Sequence, residues 1–120
     1  MNTPTEHLFR LVYSTERIQL KRMLITEIKI TQENPTILYL VPIELTTAPL
    51  RAWKEVFMDS WKSITQHKGR ISETIIWVFH NRVLVDKVPI ELVKNDLETL
   101  LKSVIDRTNF KINLRTESAI

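Results

Sequence analysis

The pentapeptide Val41-Pro42-Ile43-Glu44-Leu45 returns further along the chain as Val88-Pro89-Ile90-Glu91-Leu92. Each copy follows an apolar run and precedes a pattern typical of an amphipathic helix. Proline fixes φ in a range that helices use and has no N–H, so it suits the first turn of a helix better than the interior of a sheet. We therefore interpret both copies as joints at which a strand passes into a helix.

The flanks of the two copies also correspond. When the pentapeptides are superposed, Leu50 and Phe57 of the first helical pattern fall on Leu97 and Val104 of the second. This predicts an α+β fold of order ββα-ββα, with a mainly antiparallel sheet and two amphipathic helices on one face. Two explanations of the repeat stay open. One is a true internal duplication, and the other is that two separate segments use the same residues to end a strand before a helix.

Hydrophobic periodicity places the individual elements. Apolar runs predict strands over residues 23–31, 37–41, 74–79 and 83–88. Apolar residues at spacings of three and four predict one helix over 48–66 and another that starts near residue 95. A last alternation, Phe110, Ile112 and Leu114, predicts a short C-terminal strand, followed by a frayed tail over 116–120. The order hairpin, helix, hairpin also resembles the β-grasp arrangement, which is the alternative fold.

The composition is that of a single globular domain over residues 1–120, with 43% hydrophobic and 26% charged residues. Residues 1–7 lack the basic and apolar regions of a secretory signal and are expected to form a loose leader. No apolar run approaches the ~18 residues that a membrane-spanning helix needs, and the chain has no cysteine. We therefore expect a cytoplasmic protein with no membrane segment.

A single glycine, Gly69, argues against nucleotide-dependent chemistry. Loops that cradle phosphate groups need several backbone positions with positive φ and no side chain. The Walker and dinucleotide-binding fingerprints are accordingly absent from the sequence. We expect no nucleotide cofactor, and nothing in the sequence indicates a cofactor of another kind.

The residue types that most often carry catalysis or bind metals are scattered. His7, His67 and His80 have no spacing typical of zinc ligands. Glu44 and Glu91 are equivalent in the repeat, but a strand-end or capping position explains each of them. No serine has the flanking glycines of a nucleophile elbow. The sequence therefore predicts a protein that is not an enzyme, and a small hydrolase of unknown type ranks third among the functions considered.

The predicted sheet has one face more than the helices can cover. Strands 37–41 and 74–79 are apolar on both faces, and a large exposed apolar patch is rare on a monomer. Residues 8–13, the final strand or another protein chain must therefore cover the second face. We expect a homo-oligomer such as a homodimer, or a subunit of a larger complex. The predicted interface residues are Tyr39, Trp77, Phe79, Phe110, Ile112 and Leu114.

The charge of the chain allows a second function. The formal net charge is +3 and the pI is about 9.3, with acidic and basic residues interleaved. Ordinary surface charge explains this balance, but a basic patch that binds nucleic acid or another anionic partner is the alternative. The residues that would form such a patch are Lys68, Arg70, Arg82 and Lys87.

Overall fold

The computed structural model describes residues 17–119, with side chains as far as residue 114. Over this range the fold is α+β, as predicted. The strands are β1 (Leu20–Met23), β2 (Lys29–Gln32), β3 (Leu38–Leu45), β4 (Ile75–Phe79) and β5 (Arg82–Val88). The helices are α1 (Arg51–Thr65), α2 (Ile90–Asn95) and α3 (Leu97–Ala119), and 3₁₀ turns cover Ile25–Glu27 and Gly69–Glu73. The predicted leader and the apolar residues 8–13 lie outside the described residues.

The described strands form one antiparallel sheet. β3 and β5 lie side by side at its centre, and β4 is an edge strand that pairs with β5. We call the two edges of the sheet its borders. β1 and β2 pair one after the other with the same side of β3 and together form the opposite border. The predicted strand 23–31 is therefore divided by a 3₁₀ turn, and the strand expected over 74–79 is a border strand instead of a central one.

The first copy of the pentapeptide lies entirely inside β3, so its interpretation as a joint between strand and helix is wrong. Val41, Ile43 and Leu45 alternate into the core and are fully buried, which continues the period of two that begins at Leu38. Helix α1 starts only at Arg51. The flanking periodicity, which is that of a strand on both sides of the proline, decides the conformation here.

Pro42 is tolerated in a central strand because the carbonyl that faces its nitrogen has another partner. The carbonyl oxygen of Pro42 accepts a hydrogen bond of 2.9 Å from the N–H of Leu24, so the backbone groups of Pro42 are directed to the β1–β2 border. The carbonyl of Leu24, to which an N–H at position 42 would donate, accepts a hydrogen bond of 3.0 Å from the N–H of Glu27 in the first 3₁₀ turn. The proline therefore removes one ladder bond without leaving that acceptor unpaired.

The second copy does join a strand to a helix. Val88 ends β5, Pro89 is the N-cap of α2, and Ile90 begins that helix. Lys87 has a φ of 62° and lies at the register shift between the pairs Val41–Val85 and Tyr39–Val88, just before the pentapeptide. The same five residues therefore adopt two conformations. Internal duplication and the β-grasp-like alternative both stay predictions.

Helices α1 and α3 pack against one face of the sheet, the inner face. The apolar stripe of α1 supplies Trp53, Phe57 and Trp61 to a single buried cluster. The sheet contributes Val41, Ile43, Leu45, Val83, Val85 and Val88, and α3 contributes Leu97, Leu101, Val104 and Ile105. At about 25 cal/mol per Å² of apolar surface removed from water, this cluster is the main stabilising contribution to the fold.

A buried polar contact ties the two helices to the residue that leads into β1. The indole N–H of Trp53 donates to Oδ1 of Asn109 at 2.9 Å, and Nδ2 of Asn109 donates to the carbonyl of Ile18 at 2.7 Å. All three residues are buried. Because a buried polar group without a partner costs free energy, this contact fixes the β1–β2 border relative to the helices.

The predicted C-terminal strand is wrong, since Phe110, Ile112 and Leu114 belong to α3. The alternation over 110–114 is too short to separate a strand from a helix. In a helix these three residues do not share a face. Phe110 and Leu114 are exposed, whereas Ile112 packs against the core. Residues 116–119, predicted to fray, continue the helix.

Candidate interaction surface

The outer face of the sheet, opposite the helices, carries a line of exposed apolar side chains along β4. Ile75, Trp77 and Phe79 alternate with inward-facing residues, and their exposed fractions are 52%, 38% and 60%. We call these three residues the β4 strip. An exposed apolar line of this kind on a border strand is a feature of surfaces that bind other chains.

Apolar and charged rows lie side by side on the outer face. Trp77 is level with Leu84 of β5, and Leu84 is level with Pro42 of β3, which gives an apolar row across the sheet. Phe79 is level with Arg82, which is level with Glu44. At the other end Ile75 is level with Asp86, whose Oδ1 accepts a hydrogen bond of 2.7 Å from the Thr31 hydroxyl. The outer face is therefore apolar along its central row, with one carboxylate at one end and a group of acidic and basic side chains at the other.

The charged end of the outer face is internally paired. Glu44 of β3 lies 3.3 Å from Nζ of Lys21 and 3.6 Å from Nε of Arg22. Arg82 reaches across β3 to Glu27 of the first 3₁₀ turn, with 2.9 Å between Nη1 and Oε1. These contacts are partly exposed and contribute little to stability. They do mean that Arg82 already has an acidic partner.

The backbone of β4 is open on one side. The carbonyl of Asn81, directly before β5, accepts a hydrogen bond of 2.7 Å from the N–H of Leu45. Alternate residues from Asn81 onward therefore bond to β3, and the residues between them bond to β4. In the observed register the hydrogen bonds between β5 and β4 use the N–H and C=O groups of the β4 strip. The N–H and C=O groups of Ile76 and Val78 point away from β5, and no described strand pairs with them.

The structure separates the predicted interface residues into three places. Trp77 and Phe79 lie together on the outer face. Tyr39 is level with Val88 and packs against the core on the inner side of the sheet. The predicted residues of α3 lie on that helix. Ile75 completes the outer line but was not among the predicted residues, although its alternation with Trp77 and Phe79 is a signal in the sequence that could have identified it.

The predicted basic residues do not form one patch either. Arg70 and Lys87 line a surface cavity of about 420 Å³ together with Gln32, Thr36 and Glu73. Lys68 is exposed after the end of α1, and Arg82 lies on the outer face. Within the described residues, Arg70 and Lys87 have no ion-pair partner. Two of the four predicted cations therefore share one groove, which also holds a carboxylate.

The candidate catalytic residues stay apart in the structure. His67 is exposed beyond α1, and His80 lies in the β4–β5 turn with its ring edge-on to Phe79 at a centroid distance of 4.2 Å. The positive φ in this turn belongs to His80, at 54°. Glu91 is exposed on α2, whereas Glu44 lies in β3 and forms its ion pairs there. In the part of the chain that the structure describes, no three His, Asp or Glu side chains are placed to hold a metal ion.

Comparison with known proteins found no matching family model, no matching curated protein and no matching solved structure. Among residues 17–119, no helix is both long enough and apolar enough to cross a membrane.

Proposed function

We propose that the protein is a small non-enzymatic interaction module of the cytoplasm, acting as a homo-oligomer or as a subunit of a larger complex. Its partner is a polypeptide that adds an uncharged, apolar strand along β4. Such strand addition uses backbone hydrogen bonds for affinity and side chains on alternate positions for specificity. The single observation that carries the proposal is that no strand among the described residues pairs with the outer backbone groups of β4, whose exposed side chains are apolar.

The chemistry of β4 supports an apolar partner strand. The five residues Ile75–Phe79 contain no charge, no proline and no glycine, and their register with β5 is regular. Natural proteins usually protect an exposed border with charges, prolines or bulges, because an open border pairs with other chains. A border without those features is stable in solution when another strand covers it.

The proposal is tested by isolating the protein under native conditions from the cells that produce it and measuring the mass of the particle. We expect a mass larger than one chain, and we expect Phe79→Lys to reduce it. Ile25→Lys is the matched control, because Ile25 is also a large exposed apolar residue, at 72%, but lies in the first 3₁₀ turn. A particle with the mass of one chain would contradict the proposal, and so would a larger particle that both variants leave unchanged.

A second candidate function is the binding of nucleic acid or another phosphate-bearing partner. The observation in its favour is that Arg70 and Lys87 line the same groove. Phosphate contacts of this kind weaken as salt rises, because bound counterions are released. We expect the combined variant Arg70→Gln, Lys87→Gln to abolish a salt-dependent shift of a labelled oligonucleotide, and Lys62→Gln to retain it. Equal binding by both variants would exclude the groove.

A further inference from the structure

We infer that the strand that covers β4 is the β4 strand of a second copy of this chain, paired antiparallel about a two-fold axis at Trp77. This inference rests on the proposed function and names its partner. Two copies joined in this way form one continuous sheet across the dimer, with the helices of both copies on the same side. A two-fold axis makes the contact self-limiting, because the described residues of each copy present one open border of this kind.

The open backbone groups select the register. Thr74, two residues before Ile76, cannot donate its N–H to a further strand, because that N–H already donates to the carbonyl of Ile71 at 3.2 Å. At the other end the strand stops after Phe79, and His80, the next residue of the same parity as Val78, has a positive φ in the turn. Only Ile76 and Val78 therefore offer complete sets of open groups. Pairing Ile76 of each copy with Val78 of the other satisfies all of them, with four backbone hydrogen bonds.

This register places the β4 strips of the two copies in contact. Ile75 of one copy lies opposite Phe79 of the other, and the two Trp77 residues lie opposite each other on the axis. All three positions are non-hydrogen-bonded pairs, in which facing side chains approach most closely. Aromatic residues in such pairs contribute packing energy beyond the area that they bury. The exposed line on the outer face thereby becomes the centre of a contact between copies.

The distribution of charge favours a second copy in the antiparallel direction. β4 itself carries no charge, so pairing it with itself brings no like charges together. Glu73 lies two residues before the first residue of the strand, and Arg82 follows the turn after it. Antiparallel pairing moves the two Glu73 carboxylates to opposite ends of the contact, each towards the other copy's β4–β5 turn. Parallel pairing would place them side by side.

Single cysteines test the register directly, because the chain has none of its own. Facing residues in a non-hydrogen-bonded pair have Cα atoms about 4.5 Å apart, within the reach of a disulfide. Trp77→Cys is expected to cross-link to itself under mild oxidation. Ile75→Cys and Phe79→Cys are expected to cross-link with each other when mixed, but neither with itself. Two Ile75 residues would lie four positions out of register, about 13 Å along the strand.

The pattern of cross-links decides the inference. Self-linking of Ile75→Cys or Phe79→Cys at the rate of Trp77→Cys would overturn the register. So would a failure of the mixed pair to link. A disulfide at Trp77 that appears only in unfolded protein, as judged by circular dichroism, would also count against it.

A proline variant separates the inference from the proposed function. In the purified chain alone, Val78→Pro removes an open N–H and should return the dimer to single chains, with the β4 strip unchanged. Protection of the Ile76 and Val78 amides from hydrogen exchange, rising with concentration in the unaltered protein, should show the same contact without any substitution. Amides that exchange equally fast at every concentration would overturn the inference.

The remaining outcomes show whether the inference, the proposed function or both are wrong. If Phe79→Lys separates the copies and Val78→Pro does not, the copies associate through the outer face alone, so the inference is wrong and the proposed function stands. If the purified chain stays single but the particle from cells is lost with Phe79→Lys, the partner is a different protein. If neither the purified chain nor the particle from cells exceeds one chain, both proposals are wrong.

Discussion

At one border of the sheet the chain is divided into two strands of four residues each, β1 and β2, whereas at the other border β4 runs unbroken for five residues. The divided border also has shifts of register, one within β1 and one within β2. It carries Lys21, Arg22 and Lys29, while β4 carries no charge at all. The two borders thus differ in continuity, in regularity and in charge.

The contrast between the two borders supports β4 as the place at which we propose pairing. Interruptions, bulges and lysines are the features by which natural sheets prevent contact with other chains. Pro42 adds to them, because it removes a donor that would face the divided border and so favours the interruption there. Over residues 17–119 the chain therefore blocks one border in several ways and pairs no strand with the other, which is why we place the partner at β4.

The largest expected effect comes from prolines that distinguish the two sides of β4. Trp77→Pro should cost about 3 kcal/mol more than Trp77→Ala, because it removes a ladder bond to β5. The difference in stability between Val78→Pro and Val78→Ala should be well under half of that at position 77, because the N–H of Val78 faces the open side. Denaturant unfolding in a Phe79→Lys background measures both without a contribution from association. Similar costs at the two positions would mean that our assignment of the open side is wrong.

The divided border is held by a buried contact that β4 lacks, and removing that contact has the next largest effect. Asn109→Ala leaves the indole N–H of Trp53 and the carbonyl of Ile18 without their partner. We expect a loss of about 2 kcal/mol in the free energy of unfolding, together with faster hydrogen exchange in β1 than in β4. Asn113→Ala, one turn further along α3 and exposed, is the control and should change little. Equal losses for the two variants would show that Asn109 does not anchor the border.

The contrast between the borders also shows what sequence reasoning can reach. The α+β class, the antiparallel hairpins and the apolar stripe of α1 follow from period and spacing, because burial imposes them locally. Which strand lies at a border depends on the pairing of β3 with β5, which joins residues 38 to 49 positions apart. No local pattern encodes that pairing. Trp77 and Phe79 were therefore predicted for their residue type, and their border position emerges only from the fold.

Two errors have a common physical cause. The first pentapeptide and the segment around Phe110 were both interpreted from a few residues, and each adopts the conformation of its longer surroundings. Val41-Pro42 continues a strand that begins at Leu38, and Ile112 continues a helix that begins at Leu97. Tyr39 was placed with the exposed aromatic residues, but its parity in β3 directs it to the core side. In each case the tertiary environment outweighs local propensity.

The smallest expected effect tests whether charge or interruption blocks the divided border. Lys29→Ile leaves β2 without a charge, like β4, but the 3₁₀ turn and the register shifts remain. We therefore expect the mass in solution to stay that of the unaltered protein, with a change in stability within about 0.5 kcal/mol. Light scattering at matched concentrations measures the mass. If Lys29→Ile instead produced larger particles, charge alone would be the blocking feature. The absence of charge from β4 would then be the property that makes it the pairing border.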